Sequence, residues 1–441
     1  MSILKIFLAG LIICGFNISS AQISFQKTIG GTASELGYCV QQIGNNRYII
    51  SGSTSSFGAG NTDVYLIRSD GFSNILKTFG GTNDDVGYSV QQTNDSGYIV
   101  AGSTNSFGAG EYDVYLIKTN ANGDSLWTRT FGGTGSEEGY SVRQTTDGGY
   151  IIAGYTNSFG AGGPDVYLIK TNANGNLLWS KTYGGTEIDE GYSVQQTADG
   201  GYIIAGYTYS FGAGSDAFYL IKTDVNGDSI WTRTFAGIYY QYGNCVQQTA
   251  DGGYIIAGDT YSFGAGNDDV YLIKTDANGN LIWSKTYGGT ENDVGSSVQQ
   301  TTDGGYIISG TTNSFGASNG DAYLIRTNAS GDTLWTKTFG GTGEEAGLSV
   351  QQTPDGGYVA IGHTNSFGAG TDDIYLIRTD TSGISGCNER NPATIVTSPA
   401  TQVTGTATII TSAATIQTSP ATIVGNGNGN VTPQCSPCSC H

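Results

Sequence analysis

Histidine is almost missing from this chain of 441 residues: only His363 and the terminal His441 occur, too little for a His-bearing nucleophile triad or a three-His metal centre. Proline is also scarce, at 7, and the 70 glycines follow no three-residue period, so a collagen-like rod is excluded and tight turns become the main use of glycine. Charged residues make up 12%, with 18 basic against 37 acidic side chains and a formal charge of -19. The basic residues, including Lys170, Lys181, Lys222 and Lys285, recur singly without forming a phosphate-tracking stripe, which argues against a nucleic-acid partner. Helical periodicity is absent. Past the N-terminus no apolar run is long enough to cross a membrane.

What the chain does have is aromatic and apolar material. Hydrophobic residues make up 37%, and 28 Tyr, 16 Phe and 5 Trp supply a sizeable core, which excludes disorder throughout. At the N-terminus Lys5 precedes an apolar stretch from Ile6 to Phe16, and Ser19 and Ala21 stand before Gln22. Residues 1–21 therefore read as a secretory signal peptide cleaved after Ala21. Ile13 is bulkier than the small residue expected before a lipidated Cys14.

Between the ends SFGAG recurs, its Phe falling at 57, 107, 159, 211, 263, 315 and 367, one spacing of 50 followed by five of 52. A full unit runs GYSVQQTADGGYIIAGYTYSFGAG, DVYLIKT, DANGNLIWSKTYGGT, which is four short strand signals separated by glycine-bearing turns. Asp199-Gly200-Gly201 and Asn278-Gly279 carry hairpin chemistry. The V-Y-L-I strand is apolar on both faces, as a strand must be when neighbours cover both sides. Seven four-stranded sheets repeated radially make an all-β fold, a seven-bladed β-propeller of antiparallel blades spanning residues 22–386. A parallel β-helix has shorter rungs.

The final repeat stops after its third strand, at Thr379, while Phe25-Gln26-Lys27-Thr28 matches the Trp-bearing fourth strand of other units. The N-terminal strand is therefore expected to complete the last blade beside Tyr375 and close the ring. The alternative grouping begins each blade at the Trp-bearing strand and needs no such closure. Trp127, Trp179, Trp231, Trp283 and Trp335 share one register and read as packing between sheets, as do the Phe residues of SFGAG. Residues 387–441 carry runs biased to Thr, Ser and Ala and end in a Cys cluster; they read as a low-complexity linker or tail, with an extended ribbon laid on the domain as the alternative.

Six acids, Glu35, Asp85, Glu137, Asp189, Asp293 and Glu345, recur just before the first strand, with Gln241 in blade five. They form either an electronegative rim around the channel or, more simply, caps for turn N–H groups. Asp63, Asp113, Asp165, Asp269, Asp321 and Asp373 recur before the third strand and read as turn-forming groups, with Ala217 in the remaining unit. The oxygen-rich loops Asp224 to Asp228 and Asp276 to Asn280 are candidates for calcium, although their spacing is not that of an EF-hand.

Blade five departs most. Tyr239, Tyr240, Gln241, Tyr242 and Asn244 replace charged residues and are the candidate ligand-binding set, which Tyr207, Tyr209 and Tyr261 extend; local repacking is the alternative. Cys39 and Cys245 replace serines in blades that are not neighbours and should stay separate thiols. Cys387, Cys435, Cys438 and Cys440 are disulfide candidates with three possible pairings, and the terminal cluster with His441 also resembles a compact metal site.

The segments GGYIIAGYTNSFGAG, DVYLIKT and NGNLLWSKTYGG resemble repeats of secreted bacterial β-propeller proteins, Bacteroidetes-like and distantly similar to kelch proteins. The resemblance spans about residues 23 to 385 and implies export to the medium or cell surface. It transfers no catalytic motif. The function expected is an extracellular recognition or structural scaffold presenting loops to a glycan or surface protein, with a carbohydrate-active enzyme (glycoside hydrolase or lyase) as the alternative.

Overall fold

The computed structural model describes residues 23–69, 74–212, 215–317, 320–405, 409–412, 416–418, 423–426 and 430–435. The segment read as a signal peptide therefore lies outside the described residues. Seven antiparallel sheets of five strands each form the molecule. Blade three shows the pattern: Glu137–Gln144, Tyr150–Thr156, Asp165–Thr171 and Leu177–Gly184 pair in sequence order from the axis outward. The innermost strands of successive blades face one another around a central channel.

The blades adhere through apolar layers. Ile99, Val114, Leu116 and Phe131 of blade two interdigitate with Val142, Tyr150, Ile152 and Tyr167 of blade three, and all are fully or almost fully buried. Each such Val, Leu, Ile or Phe contributes about 1.5–3 kcal/mol on burial. The tryptophans pack as expected, with Trp127 edge-on to Tyr150 at a centroid distance of 5.9 Å. The Asn-Gly hairpin of the next blade lies against the same indole: Gly175 has φ +73°, and a Cβ there would come within 2.5 Å of Trp127.

Closure follows the expected route. Phe25–Gly30 pairs with Asp373–Thr379, placing Phe25 opposite Arg378 and Thr28 opposite Tyr375. Ile29 joins the apolar layer between blades seven and one. The four-stranded blade is thus present, but every blade carries a fifth, outermost strand.

That fifth strand revises the reading of the C-terminal segment as a linker, in favour of the ribbon. From Glu389–Arg390 on blade six, the chain runs back around the ring through Ile395–Thr397, Gln402–Thr404, Ile409–Ser412, Ile416–Thr418 and Ile423–Asn426 on blades five to one. It finishes at Asn430–Cys435 on blade seven. Each ribbon strand satisfies the N–H and C=O groups that the fourth strand would otherwise leave unpaired. A seven-residue repeat, ATIVTSP, ATQVTGT, ATIITSA, ATIQTSP, carries this geometry, one strand and one step per blade.

Cys39 and Cys245 are free thiols in separate blades. Cys387 begins the ribbon, and its carbonyl accepts a hydrogen bond from Gln26 Nε2; Cys435 ends it, in register with Gln26. The Cys435 side chain, Cys438, Cys440 and His441 lie outside the described residues.

Candidate functional site

The inner-strand glutamines explain the repeated Gln-Gln. The first of each pair reaches the next blade: Gln41 Oε1 accepts the Gln92 N–H at 2.6 Å, and Gln91 accepts that of Gln144 at 2.6 Å. The second reaches back, as Gln196 does to the Thr146 N–H at 2.9 Å. These bonds hold the seven inner strands at fixed spacing, so side chains on neighbouring blades meet in defined positions around the channel.

At the end of the channel where the inner strands begin, tyrosines meet. Tyr38, Tyr88, Tyr140 and Tyr192, on blades one to four, stand with successive ring centroids 5.1 Å apart. The chain of rings continues from Tyr192 to Tyr207 at 5.8 Å and on to Tyr242 at 4.8 Å. It then passes to Tyr240 at 5.5 Å, which stacks on Tyr261 at 5.1 Å with planes 18° apart, and ends at Tyr239. Tyr239 and Tyr261 are 51% and 38% exposed, so the arc ends on solvent-facing rings of blade five. Ring pairs of this kind, edge-to-face, tilted or stacked, are worth about 0.5–1.5 kcal/mol each beyond their burial, which ties the arc together.

Carboxylates stand among the rings. Tyr155 donates to Glu138 Oε1 at 3.2 Å, Tyr192 to Glu190 Oε2 at 2.9 Å, Tyr242 to Asp216 Oδ2 at 2.8 Å and Tyr240 to Asp268 Oδ2 at 3.2 Å. Asn244 Nδ2 donates both to Asp259 Oδ1 at 3.2 Å and to the Gly295 carbonyl at 3.0 Å. Burial, and after it the Asp268 charge, pushes Asp259 up to about 7. Burial raises Glu190 as well, and the neighbouring Glu138 and Asp216 charges add to the shift. Burial followed by the Asp268 charge pushes Tyr240 up to about 12, so its hydroxyl is a neutral donor to Asp268 near neutral pH. His363 holds on blade seven the register position that Asp259 holds on blade five, and burial lowers it.

Of the blade-five set, Tyr239, Tyr240, Tyr242 and Asn244 belong to this arc or its polar partners. Gln241 does not: it is fully buried, its Oε1 accepting the Gly237 N–H at 3.1 Å while its Nε2 binds Tyr239 O and Ser262 Oγ. It is the neutral stand-in for the capping acid of other blades. Tyr207 and Tyr261 extend the arc as expected, whereas Tyr209 is an exposed side chain with no ring contact to it.

The acidic-rim reading is corrected by burial. Glu35, Asp85, Glu137, Asp189, Asp293 and Glu345 are at most 1% exposed. Glu137 accepts from Gly133 N at 2.7 Å, Thr156 Oγ1 at 2.8 Å and Ser158 N at 3.0 Å; Asp85 accepts from Gly81 N at 2.8 Å and Ser106 Oγ at 2.7 Å. Each ties the Gly-Gly-Thr crossing between blades to the SFGAG loop. The carboxylates that do face the mouth include Glu138 and Glu190, one position further along the strand. No repeat-wide signal marks them, because the equivalent positions carry Leu36, Val86, Tyr242, Val294 and Ala346.

The second acidic register closes the SFGAG turn, as in Asp63 Oδ2 accepting from Ala59 N at 2.9 Å and Gly60 N at 3.2 Å. In the calcium-candidate loops Asp224 Oδ1 accepts the N–H groups of Asn226 and Asp228, and Asp276 Oδ1 those of Asn278 and Asn280. Those oxygens serve the turn itself. Among the described residues no group of three or more His, Cys, Asp and Glu is arranged to hold a metal ion.

Residues 145–177 match the model of a β-propeller domain of unknown function, DUF5122. The regulatory protein FlaEY of Caulobacter vibrioides is 25% identical over 263 residues, covering 55% of this chain and 22% of that protein, so the chain spans about a fifth of this relative's length. Among solved structures, Sqt1 of Chaetomium thermophilum is similar with a TM-score of 0.46 and 13% identity over 77% of this chain and 82% of that one. A protein of unknown function from Dyadobacter fermentans gives 0.45 and 12% over 81% and 98%. An endo-1,5-alpha-L-arabinanase of Thermotoga petrophila gives 0.30 and 11% over 81% and 100%. At these scores the likenesses bear on neither ligand nor reaction.

Proposed function

We propose that the protein is an exported recognition module that binds a glycan, or a segment of a surface protein, at the tyrosine-lined channel mouth and does not transform it. The observation that carries this reading is the unbroken arc from Tyr38 to Tyr239, with carboxylate acceptors spaced along it. Aromatic faces bind the apolar faces of sugars or the side chains of a peptide, and the carboxylates accept from hydroxyl or ammonium groups. A rigid mouth loses little entropy on binding. A panel of glycans and surface-protein peptides should yield saturable association without product, and Tyr240→Ala with Tyr242→Ala should weaken it at least tenfold. Unchanged affinity in that double variant would sink the assignment.

A second reading, hydrolysis of a glycan, rests on Asp259. A carboxyl group held near 7 is protonated in about half of the molecules at neutral pH and is suited to protonate a leaving oxygen, with Glu190 or Asp216 as the second carboxyl group of the pair. Mass-resolved turnover of a polysaccharide that disappears in Asp259→Asn would favour it over simple binding.

A further inference from the structure

Further along the inner strands than the tyrosines lies a cavity of about 220 Å³, bordered by the first glutamine of six inner strands, by Arg143 in the seventh, and by Cys39 and Cys245. In six blades the glutamine's orientation is fixed by hydrogen bonding. Gln41, Gln91, Gln195, Gln247, Gln299 and Gln351 each use Oε1 to accept the backbone N–H of the next blade, at 2.5–2.7 Å. Only an oxygen can accept there, so each amide must turn its NH₂ group the other way. No hydrogen bond joins any of these six Nε2 atoms to another described residue, and all six glutamines line the cavity.

Arg143 breaks the pattern where a seventh glutamine would stand. Its Nη1 donates to the Val142 carbonyl at 2.9 Å. It forms no ion pair with a carboxylate among the described residues, whereas the buried Lys118, Lys170, Lys222 and Lys274 each pair with an Asp. In a chain of net charge -19 this guanidinium stands out. Around one cavity the repeat thus assembles amide donors and one planar cation, with no carboxylate in the lining.

We infer that this cavity is a binding site for a small oxyanion, a carboxylate, sulfate or phosphate group, held by Arg143 and the ring of glutamine amides. A guanidinium with neighbouring N–H donors suits such a group, because its fork matches two oxygens while single donors serve the rest. Acid groups elsewhere on the surface weaken the site little at physiological salt, where charges beyond about 8 Å are largely screened. The site is separate from the tyrosine arc, and the two stand or fall independently.

The test is calorimetric titration of the full chain with sodium sulfate, phosphate and acetate in turn, at constant ionic strength, for wild type and Arg143→Gln. The substitution restores the residue of the other six blades and gives the Gln196 N–H the acceptor its equivalents have, so the variant should melt at the same or a higher temperature. Saturable binding of at least one anion, at one per chain and weakened tenfold or more in Arg143→Gln, is the expected result. The anion that binds most tightly identifies the source: phosphate or sulfate points to a free ion, acetate to a carboxylate-bearing ligand. No saturable heat with any of the three, or equal binding in the variant, would overturn the inference. Glutamine side-chain amide resonances, followed by NMR in the wild-type protein, should shift along the same titration, and their failure to move would overturn it without recourse to a variant.

Discussion

Thr28 lies directly opposite Tyr375 in one antiparallel sheet, so the beginning of the propeller and its last repeat form a single blade. Gln26, fully buried, reinforces that seam by donating to Ser385 Oγ at 2.7 Å and accepting from the Tyr375 hydroxyl. Its strand also holds the end of the C-terminal ribbon. Deleting residues 22–30 should therefore remove pairing on two sides at once and abolish cooperative unfolding. Calorimetric scanning reads this directly, and a transition close to that of wild type would count against the closure.

The buried acids should behave as caps. Glu137→Ala leaves the N–H groups of Gly133 and Ser158 and the Thr156 hydroxyl without their acceptor, at a cost of roughly 1–3 kcal/mol in denaturant midpoints. Glu137→Gln should cost less, since blade five is built with Gln241 in that place. Equal losses would show that charge, not acceptor geometry, matters there.

Asp259 gives a pH dependence whose sign follows from its environment. Its ordinary value is 3.8 and its folded value about 7, so the native state holds this proton more tightly than the unfolded chain does. The stability it contributes is fully present below the unfolded value and is lost as pH rises through the folded one. Asp259→Asn should therefore lose less stability than wild type between about pH 4 and 8, by up to about 4 kcal/mol. Urea midpoints at a series of pH values would show parallel curves if this account were wrong.

Removal of the ribbon should expose sheet edges all round the ring. A chain ending at Gly386 is expected to keep its blades but to self-associate, because the outer strands then present unpaired backbone groups. Size-exclusion chromatography with light scattering would detect the change, and a monodisperse monomer would contradict it.

The ribbon also selects among the three cysteine pairings. Cys387 and Cys435 both meet Gln26, one through its carbonyl and the other by register, so a disulfide between them is expected to close the ribbon into a covalent hoop around the blades. Peptide mapping without reductant should recover that pair, and recovery of Cys387 joined to Cys438 or Cys440 would contradict it.

The ring was legible in the sequence because seven copies of one pattern repeat the same packing problem, and the spacing of SFGAG alone counts the blades. Closure was legible from Phe25 to Thr28, a fourth strand found at the wrong end. The ribbon was harder to read. Its seven-residue period is short, and strands such as Ile395–Thr397 are too brief to register as strands without the edge they cover. The site was only half legible for a related reason. Tyr240, Tyr242 and Asn244 stand out as departures from the repeat, but Tyr88, Tyr140 and Tyr192 look like ordinary repeat residues until the ring curves them together. Repetition likewise drew attention to Glu35 and its equivalents, whose regularity reflects a structural task performed once per blade.

Fluorotyrosine-labelled protein, titrated with whichever glycan or peptide the panel recovers and followed by ¹⁹F NMR, tests the binding account most directly. Resonances of Tyr207, Tyr240 and Tyr242, assigned by single Phe substitutions, should shift together and saturate with the calorimetric isotherm. Saturable binding that leaves those three unmoved, or that shifts only tyrosines packed between blades such as Tyr150 and Tyr254, would contradict the assignment of the channel mouth as the recognition surface.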